Sequence, residues 1–182
     1  RSAANNITVM GFFWKSALLG NTIDRAYEHT LRIWAAGKTV IAHNALGGTH
    51  RAEGGGIGIR HALKLHSSGQ QAFTDTVSGS RLPASSQVVI ANNRFGSTSY
   101  PGSWLVALAP QNTDAVEGLE DILAENNNFV RGPHTTAELA LRGRRITHRG
   151  NTANTSGAVR TIRIDAAYPS GSAVWDGPYI AQ

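Results

Sequence analysis

The 182-residue chain predicts an α+β or α/β fold in one domain, residues 1–182. The expected architecture is a mixed sheet of about five or six strands with two or three helices. Three observations predict it. Apolar residues recur at helical spacing in two long segments, short apolar β-branched runs lie between them, and no linker divides the chain.

The elements follow in order. Ile7 to Trp14 is apolar and aromatic and reads as a buried strand. Asn21-Thr22 offers an N-cap, and Ile23, Ala26, Tyr27, Leu31 and Trp34 recur at helical spacing until Gly37 stops the helix at C′. Lys38 to His43 follows as a β-branched strand, which makes a β–α–β start. Residues 44–58 read as loop, and Ile57 to His66 fits helix or strand. Gln87 to Ala91 and Ser103 to Ala109 read as buried strands joined by turn-favouring residues. A second helix is expected over 114–125, with Asp114 as cap, Glu117 at N3, and Val116, Leu119, Ile122 and Leu123 as its apolar stripe. Asn126-Asn127-Asn128 ends it, because asparagine tolerates the left-handed conformation. Thr135-x-x-Glu138 has the form of a capping box for a short helix ending near Gly143. From Thr161 to Ala166 the alternation is that of a strand. No internal repeat is evident.

Composition narrows the function classes. With no cysteine, disulfides, Cys-ligated zinc, iron–sulfur clusters and thiol catalysis are excluded. Ala, Gly, Ser, Thr and Asn make up 86 of the 182 residues, a surface economy that suits broad contacts with neighbouring subunits. The longest charge-free stretch, Phe95 to Thr113, carries Pro101 and Pro110 and does not read as a membrane span. The chain opens at Arg1 without a signal-like segment, so a removed leader or a trimmed start is expected and the compartment is not indicated.

The basic balance is 14 Arg against three Lys, and it is segregated: +5 over residues 1–70, −4 over 71–130 and +5 over 131–165. Such blocks suit subunit faces of opposite sign, or a bound polyanion. The densest patch is Arg142, Arg144, Arg145 and Arg149, which is expected to contact phosphate or another polyanion without sequence preference. The opposing reading is a solvated edge neutralised by the acidic 114–125 segment.

Four histidines, His43, His50, His61 and His66, bracket a glycine-rich loop. His50-x-x-Glu53 can aim both side chains at one ion or serve as a catalytic pair. His43, His61, His134 and His148 are the further ligand candidates. The loop matches neither phosphate-binding fingerprint, since Ile59 and Arg60 follow Gly58 where a Walker loop needs Lys and Ser or Thr. No Gly-x-Ser-x-Gly elbow is present, and no cofactor is indicated.

With no complete catalytic motif, the leading expectation is a self-assembling structural protein, a virion- or appendage-like subunit that forms homo-oligomers through arginine-rich faces and weakens with salt. A small hydrolase using the residue 43–66 region and a sequence-independent nucleic-acid binder are the two alternatives.

Overall fold

A computed structural model describes residues 7–23, 26, 29–47, 61–65, 85–96, 103–108, 119–132, 135–141, 143–154 and 157–163. Every regular element among them is a strand. The first coil holds β1 (Ile7–Trp14), β2 (Ala17–Leu19) and β3 (Thr22–Ile23). The second holds β4 (His29–Ala42) and β5 (Ala45–Leu46), and the third β6 (Leu63–Leu65), β7 (Ser86–Ala91) and β8 (Arg94–Phe95). The fourth holds β9 (Ser103–Leu108), β10 (Leu119–Glu125) and β11 (Asn128–Phe129). The fifth holds β12 (Thr135–Leu141), β13 (Gly143–Arg149) and β14 (Thr152–Ala153), and β15 (Thr161–Arg163) starts a sixth.

Strands of successive coils pair in parallel, and the ladders make three faces. Face A is β1-β4-β6-β9-β12-β15, face B is β2-β4-β7-β10-β13, and face C is β3-β5-β8-β11-β14. The long strand β4 turns the corner from A to B and belongs to both. The described residues therefore form a parallel β-helix, with each coil stacked about 4.8 Å from the next.

This overturns the α+β (or α/β) expectation of a mixed sheet with two or three helices. The first expected helix is strand from His29 to Ala42, and Gly37 has no left-handed φ to end a helix; its neighbour Lys38 has one instead, at 51°. In the second, Leu119–Glu125 is strand, and residues 114–118 lie outside the described set. The expected capping box is strand β12, with Glu138 buried inside it. The physical reason is common to all three. A parallel ladder buries its strands heavily, so their apolar runs lose the two-residue alternation, and a chance helical spacing carries no information. The strands expected at Ile7–Trp14 and Gln87–Ala91 are present, and of the one expected over Ser103–Ala109 the described residues Ser103–Leu108 are strand.

The corner between faces B and C shows why the chain coils here. Each passage places one residue at positive φ, then an asparagine. The left-handed residues are Gly20, His43, Asn92, Asn126 and Gly150, and Asn21, Asn44, Asn93, Asn127 and Asn151 follow them. Asn126 thus adopts the expected left-handed conformation, but to end a strand.

The five carboxamides form a ladder. The Oδ1 of Asn93 accepts from both the backbone N and the Nδ2 of Asn44, at 3.0 and 2.9 Å. Asn93 repeats the pattern onto Asn127, at 2.9 and 3.0 Å, and its Nδ2 also reaches Ile41 O at 2.8 Å. Asn21 to Asn44 and Asn127 to Asn151 bond in the same way. Both Nδ2 hydrogens and both oxygen lone pairs are used in the middle of the ladder, so a buried polar row is fully satisfied and fixes the register.

Inside the coil, Ile23, Leu46, Phe95, Phe129 and Ala153 line face C, with Phe95 and Phe129 stacked at 5.3 Å. Ile41, Val88, Ile90, Ile122, Ala124 and Ile146 line face B. On face A both alternating sets are buried, as Leu63 beside Lys64 and Leu139 beside Ala140 show. Faces B and C both carry outward residues that are exposed or half-buried, and those of face B are the more apolar.

Candidate functional surface

Face B carries two outward columns, and in the second Ala42 and Ala91 are buried. Ala17, Val40, Val89, Leu123 and Thr147 stack in register along one. Leu19, Ala42, Ala91, Glu125 and Arg149 stack along the other. Since Val88 and Ile90 point into the core, Val89 between them points out. Val40 is 37% exposed and Leu19 55%. The first three coils are apolar in both columns, the fourth pairs Leu123 with Glu125, and the fifth is polar.

The corner between faces A and B adds charge. Lys15, Lys38, Gln87, Asp121 and Arg145 stack in one column, each at a positive φ near 50°. At its far end the Arg145 guanidinium bonds both oxygens of Asp121 and reaches Glu120 as well. The Asp121 hydrogen bond does most to hold Arg145 above its ordinary value. One column further on, Arg149 Nε donates to Glu125 at 3.0 Å. At the near end, neither Lys15 nor Lys38 has a carboxylate partner among the described residues. Asp121 is two coils from Lys38, roughly 10 Å away, and Arg145 already holds it. Beside these lysines the Trp14 ring lies across Gly37, where an added Cβ would fall 2.0 Å from the ring, and the indole remains 54% exposed.

The structure separates the polyanion candidates. Arg145 and Arg149 are each paired to carboxylates of the preceding coil. Arg144 stands on the same strand in register with Glu120, and Arg142 lies outside the described residues. A polyanion at Arg145 and Arg149 has to displace Glu120, Asp121 and Glu125. The neutralising segment predicted from sequence acts here, as strand β10 instead of a helix.

Of the histidine candidates, His43, His61 and His148 are described, and these three lie at separate places on the coil. His43 is exposed at the corner between faces B and C, with φ 57°. His61 is buried at the start of face A, stacked between the rings of His29 at 5.2 Å and Trp104 at 5.5 Å. Its Nδ1 sits 2.8 Å from Trp104 O, and a carbonyl only accepts, so that nitrogen carries the proton. The backbone N–H of His61 donates in turn to His29 Nδ1 at 3.1 Å. His148 is half-buried on β13, and burial lowers its pKa. His50, Glu53, His66 and His134 lie outside the described residues. Among the described residues no three His, Asp or Glu side chains form a group that could hold a metal.

His43 occupies a conformation that costs an L-residue about 1 kcal/mol or more. His43→Gly is therefore expected to raise stability by roughly 0.5–1 kcal/mol, read from the urea midpoint. A loss of stability of that size would mean the imidazole holds the corner together.

Sequence reasoning missed the asparagine ladder and the apolar outer columns. The ladder had a signal: Gly-Asn-x-Ile, His-Asn-x-Leu, Asn-Asn-x-Phe, Asn-Asn-x-Phe and Gly-Asn-x-Ala, ending at residues 23, 46, 95, 129 and 153. No helix among the described residues is long and apolar enough to cross a membrane. No known protein family, no curated protein and no solved structure matches this chain.

Proposed function

We propose that the chain is a structural subunit that self-associates, as a component of a larger appendage- or virion-like assembly. The observation that supports this reading is the outward apolar column Ala17, Val40, Val89 and Leu123 on a flat parallel ladder. A contiguous apolar row depleted in charge is the usual make-up of an interface core. The scaffold suits the role. A β-helix with a satisfied asparagine ladder presents this row rigidly, so little conformational entropy is lost on contact.

The arginines take a different part from the one expected of them. Arg131, Arg145, Arg149 and Arg160 all pair within the chain. Association through the apolar row should therefore weaken only about threefold between low and high salt, because few exposed charges are left for salt to screen. Light scattering over a concentration series tests this: the weight-average mass should climb above 19.3 kDa, and Val89→Arg should hold it there. A wild-type mass fixed at the monomer value up to millimolar protein removes the reading.

A further inference from the structure

We infer that the corner between faces A and B, on the first two coils, binds single-stranded nucleic acid. A base stacks on the Trp14 ring, and its phosphate sits on Lys15 and Lys38. The inference is independent of the self-association reading and uses the corner instead of the apolar row.

Trp14 supplies the platform. Phe13 beside it packs on the core, so Trp14 points outward from the end of β1. Its ring occupies the space that a side chain at position 37 would fill, 2.0 Å from an ideal Cβ, so glycine there is what lets the indole lie against the sheet. More than half of the residue stays exposed. The backbone beneath is tied down. Ser16 Oγ donates to Trp14 O at 3.0 Å, Lys15 N to Gly37 O at 2.8 Å, and Thr39 Oγ1 to Phe13 O at 3.1 Å. An aromatic ring carried on a fixed strand end loses little freedom on stacking.

Lys15 and Lys38 supply the charge. Both are exposed, and they stand in register on consecutive coils, about 4.8 Å apart. Their φ angles are 50° and 51°, a conformation that glycine adopts without penalty. Glycine fills two of the five such places at the corner between faces B and C, Gly20 and Gly150, and none at this one. Further along the column the retained side chains have a use, since Asp121 and Arg145 bond each other. Lys15 and Lys38 make no ion pair among the described residues, so their charge is left for a ligand. Side chains kept in an unfavourable backbone conformation gather at binding sites.

The donor set selects the ligand. An ammonium group only donates and a phosphodiester only accepts, so the two match. A sugar would bring hydroxyl donors that need acceptors. The described carboxylates of this corner, Glu120 and Asp121, stand two coils beyond Gly37 and Lys38 and bond Arg145. A base needs only its face, which every base has, so binding is indifferent to sequence. With one stacked base and two phosphate contacts the complex is weak, with a dissociation constant on the order of 10⁻⁴ M at physiological salt.

The test is fluorescence anisotropy of a 5′-labelled oligothymidylate of about eight nucleotides, titrated with the full chain between about 50 and 200 mM salt. Trp14→Ala should weaken binding about tenfold and leave the salt dependence unchanged, and Trp14→Phe should recover part of the loss. Lys15→Ala and Lys38→Ala should each weaken binding and lower the slope of log affinity against log salt by about 0.7. An abasic strand of equal length and charge should bind wild type about as weakly as oligothymidylate binds Trp14→Ala. Circular dichroism on each variant confirms the fold.

No binding of oligothymidylate at the lowest salt overturns the inference, and so does binding that Trp14→Ala leaves unchanged. An abasic strand bound as tightly as oligothymidylate overturns the base platform. A heparin oligosaccharide that depends on Trp14 where oligothymidylate does not would give the site to an acidic polysaccharide and overturn the nucleic-acid assignment.

Discussion

Asn93→Ala is expected to be the most destabilising single change on face B or C, at about 3 kcal/mol or more, measured by urea unfolding. The side chain at this position carries four hydrogen bonds in a site that is 1% exposed. Truncation strands the Asn44 backbone N–H, which has no other described partner, and takes one donor from the Ile41 carbonyl. Each buried group left without a partner costs about 1–3 kcal/mol. It also takes away one of the two donors onto Asn127 Oδ1, so the defect spreads to both neighbouring coils. Asn151→Ala at the end of the ladder breaks a smaller set and should cost roughly half as much. Asn93→Asp separates shape from chemistry. It keeps the volume but loses the amide donors, and it turns an oxygen toward Asn127 Oδ1 and Ile41 O. It should behave like the alanine variant at neutral pH and recover part of the loss in acid, where the carboxylic acid regains one donor. Equal unfolding midpoints for wild type and Asn93→Ala would show that the ladder does not hold the coils in register.

How far the sequence disclosed this fold depends on which interactions are local. The strands at Ile7–Trp14, Gln87–Ala91 and Ser103–Leu108 were legible because aromatic and β-branched runs state a preference without outside help. The coil was not. Its repeat is broken by long excursions, so that consecutive ladder asparagines are 23, 49, 34 and 24 residues apart. No fixed period survives for a repeat search to find. Leu119 and Ile122 fitted a helical stripe because strand β10 bends at the left-handed Asp121, which sets two inward residues three apart. At the candidate surface, segregated charge was legible and its consequence was not. The acidic block and the following basic block meet across one coil contact, where Arg145 and Arg149 find Glu120, Asp121 and Glu125. Only the register shows that Lys15 and Lys38 fall too far from those carboxylates to share them.

A second large effect is expected in acid, and it comes from one carboxylate. Glu138 is fully buried on strand β12 and grips two arginines. Arg131 bonds it through Nε and Nη2 at 2.9 and 3.2 Å. The Arg160 guanidinium reaches it at 2.8 Å, and the Arg160 backbone N–H at 2.6 Å. Burial alone would raise this carboxyl, but the hydrogen bonds from Arg131 and Arg160 outweigh it and hold the pKa at about 2. The unfolded chain titrates near 4.5. A carboxyl depressed on folding stabilises the native state fully above the unfolded value, and that contribution fades as pH falls from about 4.5 toward about 2. The gap corresponds to about 3 kcal/mol as an upper bound, since the arginines are partly exposed to water. Wild type should therefore lose stability steeply over this interval. Glu138→Gln should lose far less there, because the amide does not titrate. At neutral pH the same variant should be less stable by roughly 2–3 kcal/mol, since two partly exposed guanidinium groups are left facing a neutral amide. Arg131 also holds Ala158 O, and Arg160 holds Thr135 O. The strain of the variant should therefore fall where β12 meets the last turn of chain, and hydrogen exchange should quicken there first. Parallel acid titrations for wild type and Glu138→Gln would mean that other carboxylates set the acid limit and that Glu138 is protonated in the folded chain.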